Sequence, residues 1–196
     1  QYETLYYNPQ PQVSFTILDQ STGFVKAIVG GRGKKNVSLS LDRATASTRQ
    51  PGSTFKILST YAPAIDTMGY TLSTTIVDEP FSYSNGRPVE NWNHTYKGTV
   101  TVKQAIAQSM NVCAVKTLTA ITPQLGYDYL LNFGISTLVD NRVEKDGSVS
   151  SDIHQALALG GITDGVTNLE MTAAYASIAN TGKYIRPVFY SQVIDS

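Results

Sequence analysis

One buried helix limits the folds that this 196-residue chain can adopt. A Pro-Gly pair at positions 51 and 52 interrupts regular structure, and apolar residues recur at mixed helical spacings between positions 55 and 62. Such spacings cover most sides of a helix instead of one stripe, which is typical of a helix enclosed by other elements. We therefore expect a core helix from Ser53 to about Met68, ended by Gly69.

Ser53 and Lys56 stand three residues apart on this helix, a spacing that places two side chains on one face with Cβ atoms about 5–6 Å apart. A serine hydroxyl becomes nucleophilic when a base takes its proton, and a neutral lysine amine can be that base. The pKa of free lysine is near 10.4, so a useful base near pH 7 needs a pKa lowered by about 3 units, which burial can supply. The alternative is that Ser53 only caps the helix and Lys56 is a solvated charge, since Ser-x-x-Lys occurs by chance about once in a chain of this length.

The composition narrows the kinds of partner and cofactor. Lys plus Arg and Asp plus Glu both number 15, so the net charge is zero and neither a nucleic-acid surface nor a polybasic membrane surface is expected. The single cysteine, Cys113, cannot form an internal disulfide and is expected to be a small buried core residue. His94 and His154 lack the spacing of a zinc site, so neither a metal nor another cofactor is expected.

Strand and helix patterns alternate along the chain. Residues 1–12 are expected to form a lead-in arm, and alternation across a turn predicts a β-hairpin from Val13–Gln20 and Phe24–Val29. Leu39 and Leu41 are expected to anchor the polar stretch that follows. Further helices are predicted at Thr101–Gln108, from Asn111, at Gln124–Phe133 and at Asn168–Ala179, and a last strand at Val188–Ile194. This order predicts an α+β fold with an antiparallel sheet beside a helical region.

Three stretches outside the core helix carry other candidate chemistry. Gly30–Gly33 follows a strand but opens no helix and lacks a Gly-Lys-Ser/Thr ending, so we interpret it as a link and not as a phosphate loop. Asp78 and Glu79 are adjacent, so their side chains diverge and paired acid–base action is not expected. Trp92 stands in a loop, where it either lines a groove or packs as a lid over the core.

A break between two predicted helices offers a second polar pair, in the triplet Ser109-Met110-Asn111. Short polar side chains two residues apart at such a break can be presented to one spot. The alternative is that Ser109 and Asn111 only cap the second helix, as these residue types often do.

Two motifs together resemble those of a known family. Ser53–Lys56 is the only Ser-x-x-Lys in the chain, and Ser109–Asn111 is the only Ser-x-Asn. The pair is similar to the motifs of the transpeptidase domain of penicillin-binding proteins, which belong to one superfamily with the serine β-lactamases. The stretches Arg49–Ser53, Gly98–Val102 and Ala173–Ala176 are similar to the class A, bifunctional kind.

The resemblance implies a D,D-transpeptidase that acts through an acyl-serine intermediate. Ser53 would attack the bond between two terminal D-alanines of a peptidoglycan stem peptide, and Lys56 would take its proton. Ser109 would relay a proton to the leaving amine, and Asn111 would bind the substrate amide and orient Lys56. Trp92 is a further candidate substrate-binding residue, on the ground of its position in a loop and not of the resemblance. β-Lactam antibiotics, which mimic the D-Ala-D-Ala end, would acylate the same serine.

The resemblance also implies that the domain is partial. Residues 13–196 resemble the transpeptidase domain without its third motif, Lys-Thr/Ser-Gly. We do not accept Thr181–Lys183 as that motif, because it has similar residues in the wrong order. We expect a partial penicillin-binding-protein-like α+β fold, and weak or no activity of this chain alone, because loss of one oxyanion donor typically costs 10²–10³ in rate. No apolar run approaches the roughly 18 residues of a membrane span. A membrane anchor and a glycosyltransferase domain are expected upstream in the parent protein, which would meet other cell-wall synthesis proteins on the extracytoplasmic face of the bacterial membrane.

Two other functions fit parts of the pattern. The first is a serine β-lactamase or β-lactam sensor. A class A β-lactamase needs a deacylating glutamate near the site, for which Glu144 and Glu170 are the candidates, although Glu170 already completes a capping box with Thr167. A non-catalytic structural or partner-binding domain would keep the fold without the chemistry. Replacing Ser53 by Ala distinguishes this last case, because a pure binding domain loses nothing.

Overall fold

A β-hairpin opens the part of the chain that the structure describes. A computed structural model describes residues 10–194, so most of the predicted lead-in arm lies outside the described residues. β1 (Phe15–Leu18) pairs antiparallel with β2 (Val25–Val29), which confirms the predicted hairpin with shorter strands. The turn between them is closed by Gly23, whose N–H donates to the Asp19 carbonyl at 2.8 Å.

The two faces of the hairpin have opposite environments. Thr16 faces the helix Asn168–Ala179, where its hydroxyl donates to Asn168 Oδ1 at 2.6 Å. Phe15 and Ile17 lie on the other face and are 54% and 46% exposed. Within residues 10–194 the apolar face is therefore the open one, although strand alternation by itself favours its burial.

The predicted core helix is present and consists of three segments. A 3-10 turn (Gly52–Thr54) leads into a π-helical stretch (Lys56–Tyr61), which α1 (Ala62–Thr67) continues. Pro63 has no N–H to donate to the Ser59 carbonyl, so a regular α-helical ladder is interrupted at this point. We call the whole run from residue 52 to residue 67 the core helix.

Burial of the core helix on most sides is confirmed. Phe55, Leu58 and Tyr61 are each 1% exposed or less. Gly69, with a φ of 67°, follows the last turn and ends the helix where the sequence predicts. The core of the described part therefore forms around this one element.

Shorter helices enclose the core helix, and wherever the sequence predicts the start or end of one of them, the structure places it within two residues of that position. They are α2 (Val102–Ala107), α3 (Asn111–Ile121), α4 (Pro123–Asn132), a 3-10 segment (Gln155–Leu159) and α5 (Asn168–Ala179). α5 begins with the predicted capping box between Thr167 and Glu170. Over residues 10–194, each helix falls short of the length or the hydropathy that crossing a bilayer demands.

The other strands form small antiparallel pairs beside the helices. These are β3 (Thr75–Asp78) with β6 (Gly98–Thr101), β4 (Phe81–Ser82) with β5 (Pro88–Val89), and β7 (Arg142–Val143) with β8 (Val149–Ser150). β6 runs directly into α2, whose cap residue Thr101 forms a capping box with Gln104. The β3–β6 pair thus positions the start of α2, and the α+β fold class is confirmed.

The last predicted strand is wrong. Between Val188 and residue 194 the described chain makes one isolated bridge, in which Val188 pairs with Phe24. A strand needs a partner along its whole length to satisfy its backbone groups, and the hairpin offers Val188 only a single position. Alternation in this segment was therefore a poor guide to pairing.

The predicted leucine anchors are also wrong. Leu39 is fully exposed and Leu41 is 54% exposed. Ala44 anchors this stretch instead: it is fully buried, and its carbonyl accepts the N–H of Leu169 at 3.0 Å. A small side chain fits here because the backbone itself approaches the start of α5.

Candidate active site

Ser53 lies exposed in the 3-10 turn at the entrance of the core helix. The turn is held by two hydrogen bonds: the Thr54 hydroxyl donates to the Pro51 carbonyl at 2.5 Å, and the Tyr175 hydroxyl of α5 donates to the Thr54 carbonyl at 2.6 Å. Phe55 follows and is fully buried, which fixes the turn to the core. Pro51 occupies the cap position, so the alternative that Ser53 only caps the helix is wrong.

The segment that precedes the serine is clamped by the loop at residues 160–166. Gln50 exchanges two hydrogen bonds with Ile162: its Nε2 donates to the carbonyl at 2.6 Å, and its Oε1 accepts the N–H at 3.3 Å. Gly165 has a φ of 80°, and a Cβ at this position would lie 2.7 Å from the Arg49 carbonyl oxygen. A glycine is therefore needed both for the conformation and for the close approach.

Lys56 is buried, with 3% of its surface exposed, and its amine meets three acceptors. Nζ donates to the Ser109 carbonyl at 2.6 Å, to Ser109 Oγ at 3.0 Å and to Asn111 Oδ1 at 2.6 Å. The fold thus brings Lys56 together with two predicted site residues, Ser109 and Asn111, that lie 53 and 55 positions further along the chain. The alternative that Lys56 is a solvated charge is wrong.

Burial changes the acid–base behaviour of this lysine. Desolvation lowers the pKa of Lys56 from 10.5 to about 8. Its three hydrogen-bond acceptors are neutral, so no carboxylate contact offsets the loss of hydration. With a pKa of about 8, roughly one Lys56 amine in ten is neutral at pH 7 and can accept a proton.

The break between α2 and α3 places the second motif. Ser109 adopts a left-handed φ of 50°, which costs a non-glycine residue roughly 1–2 kcal/mol. Met110 returns to an extended conformation and buries its side chain, and α3 starts at Asn111. The Asn111 side chain accepts from Lys56 and donates through Nδ2 to the Glu90 carbonyl at 2.8 Å. Because neither Ser109 nor Asn111 caps α3 with its side chain, the capping alternative is wrong.

Trp92 borders a cleft beside this break. The cleft has a volume of about 360 Å³, and its lining includes Ser109 and Met110. Trp92 is 77% exposed, so the alternative that it packs as a lid over the core is wrong. Its contact with a substrate stays a prediction.

These groups supply a candidate nucleophile, a candidate base and a candidate proton relay for acyl transfer. The exposed hydroxyl of Ser53 is a candidate nucleophile, and the buried Lys56 amine one helical turn later is a candidate base. The Ser109 hydroxyl lies 3.0 Å from that amine and can pass a proton onward. Such an arrangement fits chemistry in which an acyl group is held on a serine and then transferred.

The one cysteine, Cys113, lies in the hydrophobic core. Cys113 is fully buried, as predicted, and burial raises the pKa of its thiol to about 12. Within residues 10–194, no group of three His, Cys, Asp or Glu side chains converges as a metal site would require. The thiol therefore acts as a small apolar group in the core.

Sequence reasoning missed three residues that shape the site. Gln50 and Tyr175 fix the path of the chain around the serine, and Asn91 bonds to the start of α3. Gln50 and Tyr175 stand within stretches that carry the family resemblance, which was the available signal. Their partners lie 112 and 121 positions away, so no local pattern indicates the contacts.

The similarity to known proteins extends over nearly the whole chain. Residues 13–196 match a family model described as the penicillin binding protein transpeptidase domain. The chain is 34% identical over 193 residues to penicillin-binding protein 1A of Clostridium tetani. This alignment covers 95% of the chain and 24% of the Clostridium protein.

Solved structures show the same fold. The crystal structure of penicillin-binding protein 1A from Haemophilus influenzae has a TM-score of 0.73 at 28% identity, over 90% of this chain and 25% of that one. The structure of the PonA1 protein from Mycobacterium tuberculosis in complex with penicillin V has a TM-score of 0.73 at 23% identity, over 89% of this chain and 45% of the PonA1 chain. The chain spans about a quarter of the length of the curated relatives it matches. Sequence, site geometry and fold agree that the chain belongs to the transpeptidase domain family of the class A penicillin-binding proteins.

Proposed function

We propose that the protein carrying this chain is a serine D,D-transpeptidase that cross-links peptidoglycan stem peptides and is acylated by β-lactams. One observation carries the proposal: Lys56, which lies one helical turn after the exposed Ser53, is buried and donates hydrogen bonds to Ser109 and Asn111. The family membership supports it, and so does the penicillin V complex of the Mycobacterium tuberculosis relative.

In the first half-reaction, Ser53 Oγ forms a bond to the carbonyl carbon of the penultimate D-alanine while neutral Lys56 takes the hydroxyl proton. The C–N bond to the terminal D-alanine then breaks, and a proton passes from Lys56 through the Ser109 hydroxyl to the leaving amine. The products are an ester on Ser53 and free D-alanine. With a β-lactam the broken bond lies in the ring, so the enzyme gains the whole mass of the antibiotic.

In the second half-reaction, an amine of a neighbouring stem peptide attacks the ester carbonyl. The ester C–O bond breaks, a proton from the amine returns to Ser53 through Lys56, and a new amide joins the two stems. Asn111 would bind the backbone amide of the substrate while its Oδ1 keeps Lys56 in place. Trp92 would offer an aromatic wall to the same peptide from its exposed position.

The location follows from the proposed substrate. Peptidoglycan is assembled outside the cytoplasmic membrane, so we place the protein on the extracytoplasmic face of that membrane. By resemblance to class A proteins, we also assign it a membrane anchor and a glycosyltransferase domain upstream of this chain, and contacts with other cell-wall synthesis proteins.

The test is the intact mass of the protein that carries this chain after incubation with a penicillin. We expect one covalent adduct on the unmodified protein, none on Ser53→Ala, and an undiminished adduct on Ser84→Ala, which changes an exposed serine in a turn. No adduct on the unmodified protein, or an adduct retained by Ser53→Ala, would contradict the proposed function.

The β-lactamase alternative is disfavoured by where its candidate glutamates lie. Glu170 accepts hydrogen bonds from Ser136 and Thr167, and Glu144 accepts from Arg142. Both carboxylates are thus engaged in local structure and not in the Lys56 network. Rapid loss of the adduct with turnover of the penicillin would favour a β-lactamase, whereas a long-lived adduct favours a transpeptidase. Retention of every measurable property by Ser53→Ala would favour a non-catalytic domain.

A further inference from the structure

We propose that Asn91 and Asp78 are positioning residues for the proton-transfer group, because together they fix the turn that carries Ser109 and Asn111 against Lys56. The inference rests on the proposed function, since it concerns the acylation of Ser53. Neither residue belongs to the two motifs that carry the family resemblance.

Asn91 caps α3 from a distant loop. Its side chain is buried, and its Oδ1 accepts the backbone N–H of Asn111 at 2.9 Å and of Val112 at 3.2 Å. The first N–H groups of a helix have no partner within the helix, and the local cap residue Met110 supplies no side-chain bond. Asn91 therefore provides the acceptor that the helix start lacks.

Asp78 determines which way this amide points. Asn91 Nδ2 donates to both carboxylate oxygens of Asp78, at 2.9 and 3.1 Å, and to the Thr95 carbonyl at 3.0 Å. Asp78 is 1% exposed and is fixed in turn by the N–H of Lys97 at 2.9 Å. Because a carboxylate only accepts, the amide must turn its NH₂ toward Asp78 and its oxygen toward α3.

The same segment also fixes the side chain that holds the base. Asn111 Nδ2 donates to the carbonyl of Glu90, the neighbour of Asn91, while Asn111 Oδ1 accepts from Lys56. The backbone and the side chain of Asn111 are thus both bound to residues 90 and 91. This leaves its oxygen one direction, toward the Lys56 amine.

The strained conformation of Ser109 makes this support necessary. A non-glycine residue stays at a positive φ only when its surroundings hold it there. Ser109, with φ of 50°, lies two residues before the N–H that Asn91 binds, and it supplies two of the three acceptors of Lys56. Without Asn91, relaxation of this turn would move both acceptors away from the amine.

The experiment measures the acylation rate of the protein that carries this chain with a fluorescent penicillin over a range of concentrations. For Asn91→Ala we expect the limiting acylation rate to fall about 100-fold, the order that a displacement of about 1 Å causes, while the half-saturating concentration changes little. Asn85→Ala is the matched control, because Asn85 is an exposed turn residue whose Oδ1 accepts only a local N–H, and its rate should be unchanged.

A merely structural role would give a different result. It would reduce the fraction of molecules that react and leave the rate of the reacting molecules unchanged. That result, or a limiting rate within about threefold of the unmodified protein, would overturn the inference. Failure of the unmodified protein to react at all would instead overturn the proposed function.

A swapped pair tests the donor and acceptor pattern even where Asn91→Ala fails to fold. Asn91→Asp alone sets two carboxylates against each other, and Asp78→Asn alone removes the acceptor that orients the amide. The double variant restores one donor and one acceptor between the two positions, with an oxygen still facing α3, and loses only the donation from position 91 to the Thr95 carbonyl. We expect the double variant to react at least about tenfold faster than either single variant, and the absence of such recovery would overturn the inference.

Discussion

Lys56 carries a cationic side chain into the interior, where neutral oxygens are its hydrogen-bond partners. Lowering its pKa from 10.5 to about 8 corresponds to roughly 3 kcal/mol of less favourable protonation, at about 1.4 kcal/mol for each pKa unit. In the folded protein this cost is complete below pH 8, where the amine is charged in both the folded and unfolded states. It disappears as the pH rises toward 10.5, so burial of Lys56 lowers stability near neutral pH while it makes the amine a better candidate base.

The pH dependence of acylation follows from the same pKa. As the proposed base, Lys56 would act in its neutral form, so the rate should increase about tenfold per pH unit well below pH 8 and level off above about pH 9. The measurement is the acylation rate by a fluorescent penicillin between pH 6 and 10, corrected for hydrolysis of the reagent. A rate that is flat between pH 6 and 9 would mean that Lys56 is not the base.

At the scale of elements, the site depends on where one loop meets the entrance of the core helix. The loop at residues 160–166 binds Gln50 through Ile162 and brings Gly165 against Arg49. These contacts hold the chain just before the serine, while Tyr175 of α5 holds it just after. The candidate nucleophile is thus positioned by elements that lie more than 100 positions further along the chain.

Alanine substitutions at Gly165 and Gly147 distinguish two costs: the clash of a Cβ with neighbouring backbone, and the strain of a positive φ. Gly165 and Gly147 have φ values of 80° and 83°, so alanine is strained by a similar amount at either position, but a Cβ at Gly147 meets nothing within 4 Å. We expect Gly165→Ala to lower the free energy of unfolding by about 1–3 kcal/mol more than Gly147→Ala, the usual cost of overpacking. It should also slow acylation at least about tenfold, since the segment before Ser53 is displaced.

The measurements are urea unfolding and the penicillin acylation rate on both variants. Equal losses of stability and equal rates would show that the loop does not press on the segment at Arg49. Gly147 lies in the β7–β8 turn, away from the Lys56 network, which makes it a suitable control.

At the scale of the whole molecule, packing is distributed unevenly. The core gathers around the core helix, where Leu58 is fully buried, while the hairpin leaves Phe15, Ile17 and Val29 about half exposed. Burial of an apolar side chain stabilises a protein in proportion to the area removed from water. The core helix therefore contributes more to the free energy of unfolding than the hairpin does.

A pair of truncations measures this difference. Leu58→Ala should lower the free energy of unfolding by about 2–5 kcal/mol, because it leaves a cavity in the core. Ile17→Ala should cost less than about 1 kcal/mol, since its side chain is 46% exposed. The measurement is urea unfolding of the protein that carries this chain. A larger loss of unfolding free energy for Ile17→Ala than for Leu58→Ala would mean that the main core does not form around the core helix.

Much of the fold could be predicted from the sequence because its signals are local. The capping box at Thr167 and Glu170, the break at positions 51 and 52 and the hairpin turn each act within a few residues, and the structure confirms these elements. The segment after Val188 shows the limit of such signals, since its alternation found a single bridge as partner. The exposed Leu39 shows it again, because an apolar residue in a loop is buried only if another element arrives to cover it.

The sequence by itself determined the core helix and the three-residue step from Ser53 to Lys56, because helical spacing and breaker residues act locally. It also determined the helix break at Ser109 and Asn111. Only the tertiary structure decided that these motifs meet, that Lys56 loses its water, and that residues 78 and 91 hold the turn that binds it. The physical reason is that desolvation and hydrogen bonds between distant segments exist only after the chain has closed around its core.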